Sequence, residues 1–228
     1  MKQGYSGAVL RRSGDLVEKA SADRAFVASR ARQRALIALS KRFAGIPRIH
    51  SVKGAVMAMD FVTGKEGLTL GNARLAGAAL RTLHEQVGYA FECATGLSWL
   101  IDLANQNLRQ DRHALRVDPE IEAMYPNDAL IHSEPAQIIQ RADGSIVFID
   151  IEGIGMGSRF RDLGFVCYIA TLRKRPRLFE LFASGYGLSE SDDARRKART
   201  IAGITALAYA GFADRELRIK LGLRLLAV

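Results

Sequence analysis

The chain has 228 residues, 48% hydrophobic and 25% charged, with a formal net charge of +9. That length buries a real core as one domain or two small lobes, and the composition is that of a soluble globular protein, not a disordered one. No window approaches the ~20 uninterrupted apolar residues of a membrane span. No charged-then-apolar leader is read either, so a cytoplasmic location is expected. Cys93 and Cys167 lie far apart, fit no metal spacing, and are expected to be buried thiols in a reducing compartment.

In chain order, Gly4-Tyr5-Ser6-Gly7-Ala8-Val9-Leu10 reads as a glycine turn entering a strand. Ser13-Gly14-Asp15 turns into a second strand, Leu16 to Lys19, on which Val17 and Lys19 share a face. Asp23 is expected to cap a helix from about Arg24 to Phe43, with Leu36, Leu39, Ser40 and Phe43 facing inward and Gly45 and Pro47 ending it. Ile49 to Val52 and Ala55 to Val62 alternate like paired strands, and Thr63-Gly64-Lys65 closes this small α/β lobe. From Arg24 to Met59 there is no Asp or Glu, whereas Arg24, Arg30, Arg32, Arg34, Lys41, Arg42, Arg48 and Lys53 fall there. Such a field favours anionic partners; the blander alternative is a solvated basic helix face.

The rest reads mainly as helix. Leu75 to Val87 puts Leu75, Ala79, Leu80 and Leu83 on one face, with Gly88 as a stop. Cys93 to Leu108, Leu163 to Leu172, Pro176 to Ser184 and Asp192 to Ala210 carry helical patterns. Asp214 is expected to cap a last helix on which Leu217, Leu221, Leu225 and Val228 line up.

Residues 127 to 165 are the most informative stretch. Short apolar strands are expected at Ala129 to Ile131, Gln137 to Gln140 and Ile146 to Ile149, the last two joined by an Asp143-Gly144 hairpin turn. Glu134 and Asp150 then stand just beyond strands of one small sheet, where side chains converge on a ligand. Two acids so presented suit a proton acceptor and a metal ligand, which is the chemistry of phosphoryl transfer. Gly153, Gly155 and Gly157 follow with no clear helix behind them, and read as a flexible segment rather than a dinucleotide fingerprint.

The order of these parts resembles the protein-kinase-like fold, and more closely its aminoglycoside phosphotransferase-like branch. The catalytic loop of that branch typically reads His-Gly-Asp, four residues, then Asn; a strand ending Ile-Asp-Phe/Trp-Glu follows, and soon an Asp-Leu pair. Here the run is His132-Ser133-Glu134, a shortened loop, Gln137, then Phe148-Ile149-Asp150-Ile151-Glu152 and Arg161-Asp162-Leu163. Leu80-Arg81-Thr82-Leu83-His84 matches the Leu-x-x-Leu-His helix of the same branch.

The resemblance implies an α+β, two-lobed fold, with residues 1–63 as a strand-rich nucleotide lobe and 64–228 as a mainly helical lobe carrying the catalytic and metal loops. It implies ATP and Mg²⁺, and transfer of the γ-phosphoryl group to a hydroxyl of a small molecule, glycan or protein. Glu134 would stand where the branch's catalytic Asp accepts or orients that hydroxyl. Asp150 would hold Mg²⁺, with Gln137 replacing the Asn that adds a second metal contact. Lys19 would reach the α/β-phosphates, and Gly4 and Gly7 would let the loop backbone approach them. Backbone groups of Met59 to Phe61 would meet adenine, and Asp162 would brace the catalytic loop.

The sequence departs from the branch in three places: Glu134 for Asp, Gln137 in a shortened loop, and Gln33 where the helix after Lys19 would carry a Glu. Small size and basicity resemble the minimal atypical kinases (RIO-type, KEOPS-associated and lipopolysaccharide-core sugar kinases), which points to an anionic acceptor. Two readings of other classes stand beside this one. The three replacements suit a nucleotide-binding pseudokinase acting as an interaction module. The basic stretch 24–53 and the arginines of the last helix suit a nucleic-acid or membrane-surface binder, although no aromatic residues interleave the basic ones for base stacking.

Overall fold

The computed structural model describes residues 9–21, 27, 29–86, 91, 97–113, 116–188 and 192–227. Strand β1 (Val9–Ser13) turns through Gly14 into β2 (Leu16–Ala20), and β3 (Ile49–Lys53) turns through Gly54 into β4 (Val56–Asp60). Both glycines have positive φ, +61° and +57°, the left-handed backbone that short hairpin turns require. The four strands form one antiparallel sheet in the order β1-β2-β4-β3. Helix α1 (Arg30–Arg42) packs on it through Leu36 and Leu39, joined by Phe43, Ile49, Met57 and Met59 in a continuous core. The expected inner stripe of this helix is therefore the observed one. Ser29 caps α1, its hydroxyl accepting from the Arg32 N–H at 3.2 Å; the expected Asp23 cap lies outside the described residues.

Beyond this sheet the chain is mostly helical: α2 (Ala73–His84), α3 (Leu97–Gln110), α4 (Arg159–Leu172), α5 (Pro176–Tyr186), α6 (Asp192–Tyr209) and α7 (Arg215–Leu226). A small antiparallel strand lobe and a larger helical lobe thus make a two-lobed α+β fold. Among the described residues no helix is long and apolar enough to cross a membrane.

The strands of the 127–165 stretch lie where their pattern puts them, at β6 (Ala129–Ile131), β7 (Ile138–Gln140) and β8 (Ile146–Phe148). They do not form one sheet. The hairpin β7–β8 joins β5 (Lys65–Glu66), a polar pair without strand patterning, while β6 pairs with β9 (Gly155–Gly157). The glycine-rich segment is thus ordered strand followed by helix, because Ser158 caps α4 and accepts from the Phe160 N–H. Its glycines serve close approach: a Cβ on Gly157 would lie 2.5 Å from Ile131 Cδ1, and one on Gly153 2.9 Å from the His132 carbonyl oxygen.

Two helical faces differ from the pattern. Leu75 is 48% exposed, and α2 instead buries Ala76, Gly77, Leu80 and Leu83. The reason is backbone approach to α5: a Cβ on Gly77 would sit 2.0 Å from the Phe182 carbonyl oxygen, and one on Gly185 1.9 Å from that of Arg74. Small residues decide that interface, which a search for large apolar side chains misses. In α7, Leu217 is 52% exposed, and Ile219, Leu221, Gly222 and Leu225 face inward. Asp214 precedes this helix in left-handed backbone (φ 45°) and makes no side-chain cap bond.

Helix propensity alone would make Gly77→Ala stabilising by about 1 kcal/mol. The approach of α5 reverses the sign: the substitution is expected to cost about 1–3 kcal/mol through overpacking, read as a lower denaturant midpoint at unchanged m-value.

Candidate active site

Lys19 leaves the inward face of β2 and is only 6% exposed. An ammonium so placed needs a compensating charge, and two carboxylates supply it. Glu152 Oε2 accepts from Lys19 Nζ at 2.7 Å, and Asp150 Oδ1 accepts from the same nitrogen. Burial opposes the lysine's charge, but Glu152 and Asp150 outweigh it and hold its pKa above the ordinary value. Asp150 occupies left-handed backbone (φ 65°, ψ 47°) where the chain leaves β8 for a short 3₁₀ turn, Ile151–Gly153. For a non-glycine residue that conformation is uncommon and persists where surrounding contacts enforce it. Arg32, buried on α1, donates to the Glu152 carbonyl oxygen and ties the helix to the same turn.

The second half of the site follows β6. Asp162, on the first turn of α4, has no exposed surface. Its Oδ2 accepts from the His132 N–H and its Oδ1 from the Ser133 N–H, both at 2.7 Å. Its carboxylate also lies 3.0 Å from His84 Nε2, and His84 Nδ1 is 2.8 Å from the Tyr186 hydroxyl. Burial alone would raise the Asp162 pKa; the His84 hydrogen bond, the two histidines and the backbone donors together pull it below the usual value. His132 is buried and its pKa is lowered, chiefly by that burial.

Glu134 stands half-buried at the end of this braced loop. Its N–H donates to His132 Nδ1 at 3.3 Å, and its Oε1 accepts from the Tyr209 hydroxyl at 2.6 Å. Gln137 shapes the shortened loop with its backbone: its N–H donates to the Glu134 carbonyl at 3.0 Å, and its carbonyl accepts from Ile149 N–H at 2.9 Å. That bond sets Gln137 beside the residue preceding Asp150, while its side chain is exposed.

The structure therefore brings Lys19 and Asp150 into direct contact and fastens Glu134 and Gln137 to the adjoining loop. Met59 and Phe61 are placed differently from expectation. Met59 is buried within β4, paired with Val17 on one side and Ile49 on the other, so its backbone faces ladder partners. The Phe61 N–H donates to the Asp15 carbonyl at 2.8 Å and is not open to a purine; its ring lies 3.7 Å below the Arg12 guanidinium. Gly4 and Gly7 lie outside the described residues. Gln33 Nε2 donates to the Val27 carbonyl at 3.2 Å, and Glu152 gives Lys19 its second carboxylate.

Three residues here were not singled out from sequence: Glu152 as partner of Lys19, Arg32 and Tyr209. Glu152 carried a signal, since its i+2 spacing from Asp150 lets both acids reach one ammonium. Tyr209 carried none, being 75 residues from Glu134.

Among the described residues no group of three or more His, Cys, Asp or Glu is arranged to hold a metal. Nucleotide-linked Mg²⁺ needs no such cage, because one or two carboxylates and the substrate phosphates suffice. Asp150, its side chain 36% exposed beside the buried Glu152, fits that kind of donor set.

A sheet lobe, a helical lobe and a braced His-x-acid loop facing a lysine–acid pair together define the protein-kinase-like fold, which this chain has. Solved structures share it along almost the whole chain. A choline/ethanolamine kinase family protein from Mesorhizobium loti is 15% identical, with TM-score 0.71, covering 97% of this chain and 85% of its own. Choline kinase LicA from Streptococcus pneumoniae is 14% identical, with TM-score 0.67 and coverage of 99% and 92%. Spectinomycin phosphotransferase APH(9)-Ia, solved with ADP and spectinomycin, is 15% identical, with TM-score 0.55 and coverage of 96% and 84%. These structural neighbours are small-molecule kinases. No protein-family model and no curated protein matches the sequence.

Removing the Asp162 carboxylate would leave two buried N–H groups and His84 without their acceptor. Asp162→Ala is expected to cost about 3–5 kcal/mol in unfolding free energy, measured by denaturant titration. His132 gives a pH signature. Its lowered folded-state pKa means that the unfolded chain takes up the proton first, so stability present above about pH 6.5 is lost as pH falls below that value. The melting temperature is expected to drop between about pH 7 and pH 5.5, and less steeply in His132→Asn.

Proposed function

We propose that this chain is an ATP-dependent phosphotransferase that moves the γ-phosphoryl group to a hydroxyl of a small molecule, glycan or protein. The observation that carries the reading is the meeting of Lys19 from the sheet with Asp150 and Glu152 from the turn after β8. One cation and two acids at one point suit phosphates and their divalent ion. Residues 1–63 would form the nucleotide-binding lobe and 64–228 the lobe presenting the catalytic and metal loops. Asp150, with Gln137 beside it, would hold Mg²⁺, which when bound neutralises charge on the nucleotide phosphates. Lys19 would exchange its bond to Asp150 for the phosphates, keeping Glu152 to orient it. Gly4 and Gly7 would let the loop backbone meet the phosphates, and Met59 and Phe61 would wall the adenine site with their side chains.

Glu134 would accept or orient the acceptor hydroxyl, held in register by the Asp162 brace. The net charge of +9 supports an anionic acceptor, and a cytoplasmic location accords with that role. A pseudokinase is the second reading, favoured by one observation: Lys19 rests directly on Asp150, so the two groups that would meet phosphate and metal satisfy each other.

Release of ADP from Mg²⁺-ATP, with a hydroxyl-rich acceptor panel, separates the two readings. Turnover by the wild-type protein, falling about 10²-fold or more in Glu134→Gln and likewise in Lys19→Met, is expected. Nucleotide binding without turnover would assign the fold to an interaction module.

A further inference from the structure

The hydroxyl of Tyr209 reaches Glu134 from the far end of α6, across 75 residues of chain. Tyr209 is the last residue of that helix and is itself tightly placed. Its ring packs edge-to-face on Phe165 at 5.9 Å and lies 6.1 Å from Tyr168 and 5.6 Å from Phe212, and its carbonyl accepts from Arg218 Nη1 at 3.1 Å. Arg161, on the same helical turn as Asp162, is 3% exposed, with Nε and Nη1 buried and without hydrogen-bond partners. Burial and the neighbouring Glu134 hold the Tyr209 pKa well above its ordinary value, against the Arg161 guanidinium, which lowers it, so the phenol stays protonated and donates to Glu134. A protonated donor aimed at a carboxylate at 2.6 Å makes a charge-assisted bond, stronger and more directional than a neutral one.

This arrangement bears on the length of Glu134. A glutamate has one more methylene and one more rotatable bond than an aspartate, and about 1 Å of misplacement in a reacting group can cost on the order of 10²-fold in rate. A rigid donor on one carboxylate oxygen removes that freedom and leaves the other oxygen to face the acceptor. We propose that Tyr209 is a positioning residue that fixes Glu134 as the acceptor-orienting carboxylate. The proposal rests on the phosphotransferase reading and adds to it the group that makes a glutamate workable there.

The test measures kcat and KM for Mg²⁺-ATP by ADP release, with the same hydroxyl-rich acceptor panel, in wild type, Tyr209→Phe, Glu134→Asp and the double variant. Phenylalanine keeps the ring packing, so folding is controlled by the melting temperature and nucleotide binding by its shift with Mg²⁺-ATP. Tyr209→Phe is expected to lower kcat about tenfold or more, with KM for ATP and the nucleotide-induced shift unchanged. In the Glu134→Asp background, whose shorter arm withdraws from Tyr209, the same change is expected to alter kcat less than twofold. Equal kcat for wild type and Tyr209→Phe, or an equal loss in both backgrounds, would overturn the positioning role and leave the phosphotransferase reading standing. A wild type that binds Mg²⁺-ATP without turning it over would overturn both.

Discussion

A buried ammonium that must be neutralised organises this molecule. Lys19 sits on the inner face of a sheet whose inward residues include the apolar Met57 and Met59. Its charge persists there only because Asp150 and Glu152 come to it from the far lobe. Breaking such a buried group costs more than the group adds in net stability, so its presence needs a reason other than folding. The proposed function supplies one: phosphates would take over the ammonium, and a divalent ion the carboxylates.

Beside this pair, a second and almost wholly buried polar system shapes the loop that presents Glu134. One carboxylate, Asp162, receives both backbone N–H groups of the loop preceding Glu134 and links through His84 to Tyr186 on α5. The loop therefore takes its shape from three helices at once, α2, α4 and α5, and α2 reaches α5 closely because Gly77 meets the Phe182 backbone and Gly185 that of Arg74. Packing of small residues and polar bracing of the loop are parts of one arrangement. Side chains held on packed elements are the condition under which positioning and electrostatics can contribute to rate.

Much of this was legible in the sequence, for identifiable reasons. The Asp143-Gly144 turn between apolar runs marked the β7–β8 hairpin, and the alternation around Val17 and Lys19 put both side chains on one face, which is the inward one. What was not legible came from long-range geometry. The partition of β6 and β7 into different sheets depends on β9 and β5, whose Gly155-Met156-Gly157 and Lys65-Glu66 carry no strand alternation. The outward turn of Leu75 and Leu217 follows from close helix contacts at glycine, where the largest apolar residue is excluded. The exchange of a helix acid for Glu152, and the bond from Tyr209 to Glu134, join residues that no local period connects.

The central claim is that Lys19, Asp150 and Glu152 form a site for a nucleotide and its divalent ion. The direct measurement is the melting temperature of the wild-type protein and of Asp150→Ala, each with and without Mg²⁺-ATP. Ligand at about 100 times its dissociation constant adds about 2.7 kcal/mol to the folded state. The account predicts a raised melting temperature for wild type with Mg²⁺-ATP and the loss of that shift in Asp150→Ala. An unshifted wild type under saturating nucleotide, or an equal shift in both proteins, would contradict it.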